Sequence, residues 1–352
     1  MRILLAGNWQ YPMYEKACSD ALTRLGATVI PFAWSQYFTG LIGRAQAKFP
    51  VHGAALMRLN RDLLNVAYET RPACIWVWRG THILPRTMRK LKNETGALLV
   101  SYNNDDPFGP LVHENVPWHS RFYWHHYLNA IPEYDVHFVY RPANLPEILK
   151  AGAKEAHVLM PYFIPDEHRP CELSEDEMAL YACDVVFVGH YEPDGREQYL
   201  SALVRGGLHV RLFGGDTWTR KVLNGLDGYF ESVRPVLGVE HSKALCGANM
   251  CLCFLSRLNR DTYTRRCFEI PACGRLLLSE RTEDLRLLFK EDEEAVYFSS
   301  SEELVEKALW LREHPQDVER IASAGLRRVH VDGHSVNDRM KELLSIIKNY
   351  CR

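Results

Sequence analysis

Short apolar runs alternate with amphipathic stretches through the first 160 residues. The runs RILLAG, ATVIPFAW, ACIWVWRG and ALLVSYNN are apolar at consecutive positions, and the stretch GAALMRLNRDLLNVAYE between two of them repeats leucines every three or four residues. Consecutive apolar positions are typical of strands buried on both faces, and the three- to four-residue repeat is typical of helices. The pattern therefore predicts repeated strand–helix units that build a parallel sheet covered by helices.

A second series of the same kind follows. Its predicted strands are CDVVFVGH, LHVRLFGG, NMCLCFLS, RLLLS and AVYFSS, and the last 50 residues are predicted to form three helices. Between the two series, the proline- and acid-rich stretch PYFIPDEHRPCELSEDE is typical of a linker. We therefore expect an α/β protein with one domain over 1–165, a linker over 166–182 and a second domain over 183–335. A final helix over 336–352 would be able to cross back to the first domain.

Composition narrows the classes of function. A chain of 352 residues fits two domains, and 47% hydrophobic with 24% charged residues is typical of a globular protein. The formal net charge of −2 does not favour nucleic acid as a partner. No apolar run is long enough for a signal peptide or a membrane span, so we expect a cytoplasmic protein without a transmembrane segment. The ten cysteines include no C-x-x-C pair, which favours reduced thiols over a zinc site.

The strongest candidate site follows the strand NMCLCFLS. Ligands of open α/β sheets bind beyond the carboxyl ends of the strands, and there the loop carries Arg257, Arg260, Arg265 and Arg266. Guanidinium groups beside a helix N-terminus favour a phosphate, and Glu269, one turn further on, would face hydroxyls such as those of a ribose. The alternative is a solvated arginine-rich loop with a simple Arg265–Glu269 pair along the helix.

Two further loops of the second domain are candidates for binding the same ligand. Gly189 follows a predicted strand and would let a ligand approach the backbone, with His190 beside it and Arg196 in the first turn of the next helix. Gly215 follows the next strand, close to Trp218, which would stack on a base or pack in the core. An ordinary surface position is the alternative for Arg196.

In the first domain, the loop GNWQY lacks the G-x-G-x-x-G fingerprint, which disfavours an NAD-dependent oxidoreductase.

The segment YNNDDPFG places Asp105 and Asp106 at the end of the fourth predicted strand. Carboxylates there are candidates for a general base or for contacts with an acceptor. The alternative is a capped turn with solvated carboxylates.

The second half of the chain resembles a known family. The run from FEIPACGRLLLSE onward, with Glu269, Gly274 and the motif H-S-x-x-x-R from His334 to Arg339, is similar to the carboxyl-terminal domain of group 1 glycosyltransferases. It is most like the branch that includes the CgeB-like spore-maturation proteins. The likeness covers residues 180–345, and the first domain resembles these proteins in layout only.

The resemblance implies the GT-B fold, in which two Rossmann-like domains face each other across a cleft. It further implies that the second domain binds a nucleoside-diphosphate sugar as donor substrate, that the first binds the acceptor, and that neither a metal nor another cofactor takes part. Glu269 would contact the donor ribose. The E-x7-E motif of retaining members appears here as Asp261 to Glu269, so the stereochemical outcome stays open. Asp261 would either touch the sugar or orient Arg257.

The resulting hypothesis is a hexosyltransferase-type glycosyltransferase that acts on a hydroxyl of a glycan, a protein or a small molecule. One alternative is a nucleotide-sugar epimerase or hydrolase with the same donor site, which would turn the donor over without an acceptor. The other is a non-catalytic glycan- or nucleotide-binding protein of the same fold.

Overall fold

The computed structural model describes residues 1–112, 116, 118–226, 228–230 and 233–350. The strands are β1 Arg2–Gly7, β2 Thr28–Ala33, β3 Cys74–Trp78, β4 Leu98–Asn103, β5 Val136–Val139, β6 Ala156–Val158, β7 Cys183–Val188, β8 Val210–Phe213, β9 Ala248–Cys253, β10 Leu276–Glu280 and β11 Val296–Phe298. The helices of the first half are α1 Ala17–Arg24, α2 Gly40–Lys48, α3 Ala54–Thr70, α4 Pro85–Thr95, α5 Gly109–Val112, α6 Trp118–Tyr123, α7 His125–Ala130 and α8 Asn144–Lys150. Those of the second half are α9 Glu175–Tyr181, α10 Arg196–Arg205, α11 Arg220–Leu223, α12 Val239–Cys246, α13 Arg266–Ala272, α14 Glu283–Leu288, α15 Ser301–Glu313, α16 Pro315–Val331 and α17 Val336–Ile347.

The strands form two parallel sheets with helices around them. The first sheet has the order β2-β1-β3-β4-β5-β6 and the second has the order β11-β10-β9-β7-β8. In the central strand β3 all five side chains are buried, as its unbroken apolar sequence predicts. The predicted α/β class with two doubly wound parallel sheets is confirmed.

The chain divides into two compact units. The first unit contains Met1–Pro161 together with α17, and the second contains Tyr162–Ser335. Helix α17 packs against α1, where Arg24 Nε lies 3.2 Å from Asn337 Oδ1. Arg339 Nε also donates to the carbonyl of Pro161 at 3.4 Å. The C-terminal helix is therefore part of the first unit.

The segment 166–182, for which we expected a linker, lies in the second unit and contains α9. Ser174 and Glu177 form a reciprocal capping box at the start of this helix. Glu177 also pairs with Lys243 of α12. The S-x-x-E spacing in the sequence indicates such a helix start, but the proline-rich surroundings obscure it.

Among the described residues, no helix has the length and apolar character needed to span a membrane. The described cysteines are free thiols, most of them buried.

Candidate functional site

Four loops meet at the carboxyl edge of the second sheet, because all five strands of that sheet point the same way. They follow β8, β7, β9 and β10, which are neighbours in this order across the sheet. The loops after β7 and β9 contain most of the residues that the sequence analysis selected. The edge of this sheet is therefore the candidate functional site.

The turn after β7 is crowded by the protein itself. A Cβ atom on Gly189 would lie 2.8 Å from Arg266 Nη2 and 2.8 Å from the ring of Phe187. The carbonyl of Gly189 accepts a hydrogen bond from Trp218 Nε1 at 2.7 Å. Arg266 therefore crosses this turn, with its guanidinium group close to the backbone at the end of β7.

In the loop after β8, two adjacent glycines have different surroundings. A Cβ atom on Gly214 would lie 2.4 Å from the carbonyl oxygen of Gly189 and 2.6 Å from the indole of Trp218, whereas one on Gly215 would meet nothing within 4 Å. Trp218 is buried against Phe187. Gly214 is therefore needed for packing, Gly215 borders open space, and Trp218 packs in the core as the second of our two interpretations stated.

Arg196, a candidate for ligand binding with a surface position as the alternative, is buried in the structure. It is 3% exposed, and its guanidinium donates to Asp194 Oδ1 at 2.8 Å and to the carbonyl of His190 at 2.8 Å. Its hydrogen bonds hold the loop after β7 in shape, so it stabilises that loop from inside. His190 keeps a side chain that is 61% exposed, with Nε2 3.2 Å from the carboxylate of Glu192.

The arginine-rich loop after β9 is fixed at several points. The backbone N–H of Leu255 donates to Glu280 Oε2 at 2.6 Å, and the hydroxyl of Thr262 donates to Asp284 Oδ2 at 2.5 Å. The N–H of Asp261 donates to the carbonyl of Ser256 at 2.9 Å. A loop with this many bonds presents its side chains in defined positions, which a ligand site requires.

The arginines of this loop differ in exposure. Arg257 is exposed, while Arg260, Arg265 and Arg266 are half-buried. Arg265 Nε lies 2.6 Å from Glu269 Oε1, one helical turn further along the chain. The pair contained in the alternative interpretation of this loop is therefore formed, and Arg266 also contributes to the field at Glu269.

Glu269 is a buried carboxylate with cationic and imidazole neighbours. Its side chain is 2% exposed, and its oxygens lie 3.5 Å from His168 Nε2 and 3.9 Å from His241 Nε2. Burial alone would raise the pKa of Glu269, but Arg265 and the other neighbours outweigh burial and lower the pKa to about 2. Glu269 is therefore ionised at neutral pH.

His168, His241 and Glu269 are close enough together to be tested as metal ligands. His168 Nδ1 accepts the backbone N–H of Ile164 at 2.9 Å, so the proton of the neutral ring is on Nε2, the nitrogen that faces Glu269. A protonated nitrogen donates a hydrogen bond and has no lone pair for a metal. The tautomer and the Arg265 pair both favour a hydrogen-bonded anion over a metal centre at this cluster.

In the first unit, the two candidate aspartates take different positions. Asp105 Oδ2 lies 2.6 Å from Arg79 Nη2, and both side chains are partly exposed. Asp106 is 1% exposed and accepts from the N–H of Phe108 and from Asn144 Nδ2, both at 2.9 Å. Asp106 therefore has the geometry of a capped turn, and Asp105 is the carboxylate at the surface.

A third carboxylate at this sheet edge was missed from the sequence. Glu15 is 2% exposed, accepts the N–H of Asn8 at 2.7 Å, and has its pKa raised by burial. The charge of Arg79 acts against burial and lowers the pKa of Glu15. Arg79 has φ of 67°, a left-handed value that is costly for a residue with a side chain. Glu15 lies in the short turn Pro12–Lys16, and no local pattern of the sequence there indicated its burial.

Comparisons with known proteins agree with this architecture. Residues 196–345 match a family model described as glycosyl transferase-like. A comparison with curated protein sequences found no match.

Several solved structures share the fold over nearly the whole chain. Sucrose-phosphate synthase from Thermosynechococcus elongatus is 11% identical with a TM-score of 0.73, covering 99% of each chain. Anabaena HepE, solved in complex with UDP and glucose, is 13% identical with a TM-score of 0.69, covering 99% of this chain and 100% of that chain. A glycosyltransferase from Rickettsia africae is 11% identical with a TM-score of 0.68, covering 99% and 98%. The chain therefore has the GT-B fold, and its second half matches the glycosyl transferase-like family.

Proposed function

We propose that this protein is a glycosyltransferase that moves a hexosyl group from a nucleoside-diphosphate sugar to an acceptor hydroxyl, without a metal ion or other cofactor. The observation that carries the proposal is the arginine-rich loop after β9, fixed at the carboxyl edge of the second sheet with Arg266 over the Gly189 turn. The glycosyl transferase-like match over residues 196–345 supports it. We also propose that the protein is of the CgeB-like type and acts in the cytoplasm.

The arginines would stabilise the leaving group. Cleavage of the bond between the sugar and the diphosphate puts negative charge on the diphosphate, and fixed guanidinium groups stabilise such charge as it develops. Arg257 and Arg266 are the proposed contacts, together with Arg265 once it turns from Glu269. His190 and Gly215 border the same edge and are proposed to line the donor site.

The same turn of Arg265 would expose Glu269 to the ribose. In the structure Arg265 covers Oε1 of Glu269, and a ribose hydroxyl would replace the guanidinium as its partner. His168 and His241 lie beside the carboxylate, with their Nε2 atoms 3.5 Å and 3.9 Å from its oxygens. Donor binding would then couple the diphosphate contact to the ribose contact through a single side chain.

On the acceptor side, Asp105 is the proposed general base. It is the partly exposed member of the aspartate pair, and Arg79 fixes its position. The acceptor would be a hydroxyl of a glycan, a protein or a small molecule. Asp261 is proposed to lie near the transferred sugar, at the start of the D-x7-E spacing that ends at Glu269.

The experiment that tests this function begins with a thermal-shift screen of UDP, ADP, GDP and their sugars. A ligand at 100 times its dissociation constant stabilises by about 2.7 kcal/mol, which is readily measured. The sugar nucleotide that stabilises most is then incubated with the protein and a set of sugar, peptide and small-alcohol acceptors, and products are identified by mass spectrometry.

We expect a glycosylated product that appears only with an acceptor. Turnover of the donor at the same rate without any acceptor would instead identify an epimerase or hydrolase. A donor that binds but stays intact with every acceptor would favour a non-catalytic binding protein.

A further inference from the structure

The loops after β7 and β9 are joined by a carboxylate that the proposed function does not use. The hydroxyl of Ser256 donates to Glu192 Oε2 at 2.7 Å, and Ser256 itself is 8% exposed. Glu192 belongs to the loop that follows β7, and Ser256 is at the start of the loop that carries the arginines. Apart from the Arg266 crossing at Gly189, this bond is a direct link between the two loops.

Glu192 has two further partners on its own loop. Its Oε1 lies 3.2 Å from Nε2 of the exposed His190, and its Oε2 lies 3.6 Å from Nη2 of the buried Arg196. One carboxylate therefore contacts an exposed imidazole, a buried guanidinium and Ser256 of the arginine-rich loop.

The negative charge of Glu192 limits how it can act beside a diphosphate. Burial alone would raise its pKa, but hydrogen bonds from His190 and Ser256 and the charge of Arg196 lower the pKa to about 2. A permanently ionised carboxylate would repel a diphosphate in direct contact. Glu192 therefore contributes to a diphosphate site by holding the protein groups that it bonds, and it does not contact the diphosphate itself.

We propose that Glu192 is a positioning residue for nucleoside-diphosphate binding. Through Ser256 it holds the first residues of the arginine-rich loop against the loop after β7, and through its other oxygen it orients His190 at the edge of the sheet. The distance between Arg257 and the Gly189 turn is then set by this link. The inference rests on the proposed function, because it assumes that the arginines bind a diphosphate.

The test compares four variants and one control variant by calorimetric titration with UDP, or with ADP or GDP if one of these binds the wild type more tightly. Glu192→Ala and Ser256→Ala should each weaken binding about tenfold, which corresponds to about 1.4 kcal/mol. Glu192→Gln keeps an oxygen that accepts from Ser256 and should bind within about threefold of wild type. The double variant Glu192→Ala/Ser256→Ala should bind no more weakly than Glu192→Ala, since both changes break one link. Glu313→Ala, at an exposed position at the end of α15, is the matched control and should bind as wild type.

Thermal unfolding of each variant separates positioning from a merely structural role. The Arg196–Asp194 bonds stay intact in all four, so the midpoints should stay close to that of wild type. Wild-type affinity in Glu192→Ala, or losses that multiply in the double variant, would overturn the inference and leave the proposed function standing. Absence of binding of all three nucleotides to the wild type would overturn both.

Discussion

Burial and charge act in opposite directions on Glu269, and charge prevails. The carboxylate is 2% exposed, yet Arg265 and two imidazoles around it keep it ionised. The pair with Arg265 was the alternative that the helical spacing in the sequence offered. It did not predict His168 and His241, which come from a loop and from α12, because contacts between distant segments leave no local pattern.

The low pKa of Glu269 predicts a measurable pH dependence. Its pKa falls from the ordinary 4.5 to about 2 on folding, so its ionised form stabilises the fold above pH 4.5, and this contribution is lost as the pH falls towards 2. The free energy of unfolding of Glu269→Gln should lie below that of wild type by about 3 kcal/mol at pH 6, and by about half of this at pH 3. Urea unfolding at both pH values measures the gap, and a gap that is constant or widens towards low pH would contradict the ion-pair account.

We predict that Asp105 acts in catalysis and that Asp106 stabilises the fold. Asp105→Asn should keep nucleoside-diphosphate affinity and lose sugar transfer at least a hundredfold, because an amide cannot accept the proton of the acceptor. Asp106→Ala should lower the free energy of unfolding by about 1–3 kcal/mol, since it leaves the buried N–H of Phe108 and the amide of Asn144 without this acceptor. Transfer assays and urea unfolding of both variants check this, and full transfer activity in Asp105→Asn would remove it from the mechanism.

At the scale of elements, the strands were the most predictable part of the chain. The apolar runs became strands, most of them buried, and β1 has the predicted bounds Arg2–Gly7. The edge strand β2 is an exception, since only Phe32 of its six residues is buried. Short helices were not predicted: α9 and α14 span only seven and six residues, which is shorter than the window over which a hydrophobic period is detected. Both are instead marked by capping side chains, Ser174 and Thr282, which are weaker local signals.

The loop after β8 provides an element-scale test with an internal control. Gly214→Ala should lower the free energy of unfolding by about 1–3 kcal/mol, because the new methyl group meets the carbonyl of Gly189 and the ring of Trp218. Gly215→Ala, one residue later, has open space and should change it by less than about 0.5 kcal/mol. Chemical denaturation of the pair measures both, and equal effects would show that the packing around Gly189 is not as described.

At the scale of the whole molecule, the first unit is built from two separate segments of the chain. The first 161 residues require a helix from the C-terminus, since α17 packs on α1 with Val336, Met340, Leu343 and Ile347 buried. The amphipathic pattern predicts this helix. The partner it packs against is fixed only by the tertiary fold.

Removal of α17 should therefore unfold the rest of the first unit, Met1–Pro161. Burial of each large apolar side chain contributes about 1.5–3 kcal/mol, and four of them together are comparable to the stability of a typical domain. In a chain that ends at Ser335, limited proteolysis with mass spectrometry should show rapid cleavage within Met1–Pro161, while Tyr162–Ser335 survives longer. Equal resistance of both units would contradict the assignment of α17.

The central claim is that the arginine-rich loop binds the diphosphate of a nucleotide sugar. The most direct test is a calorimetric titration of UDP, ADP or GDP into wild type, Arg257→Ala, Arg266→Ala and the control Arg327→Ala, whose arginine is exposed on α16. Because a hydrogen bond to a charged group contributes about 1.5–3 kcal/mol, each loop variant should bind ten- to a hundredfold more weakly, and the control should bind as wild type. Equal affinity in all four proteins would contradict the account.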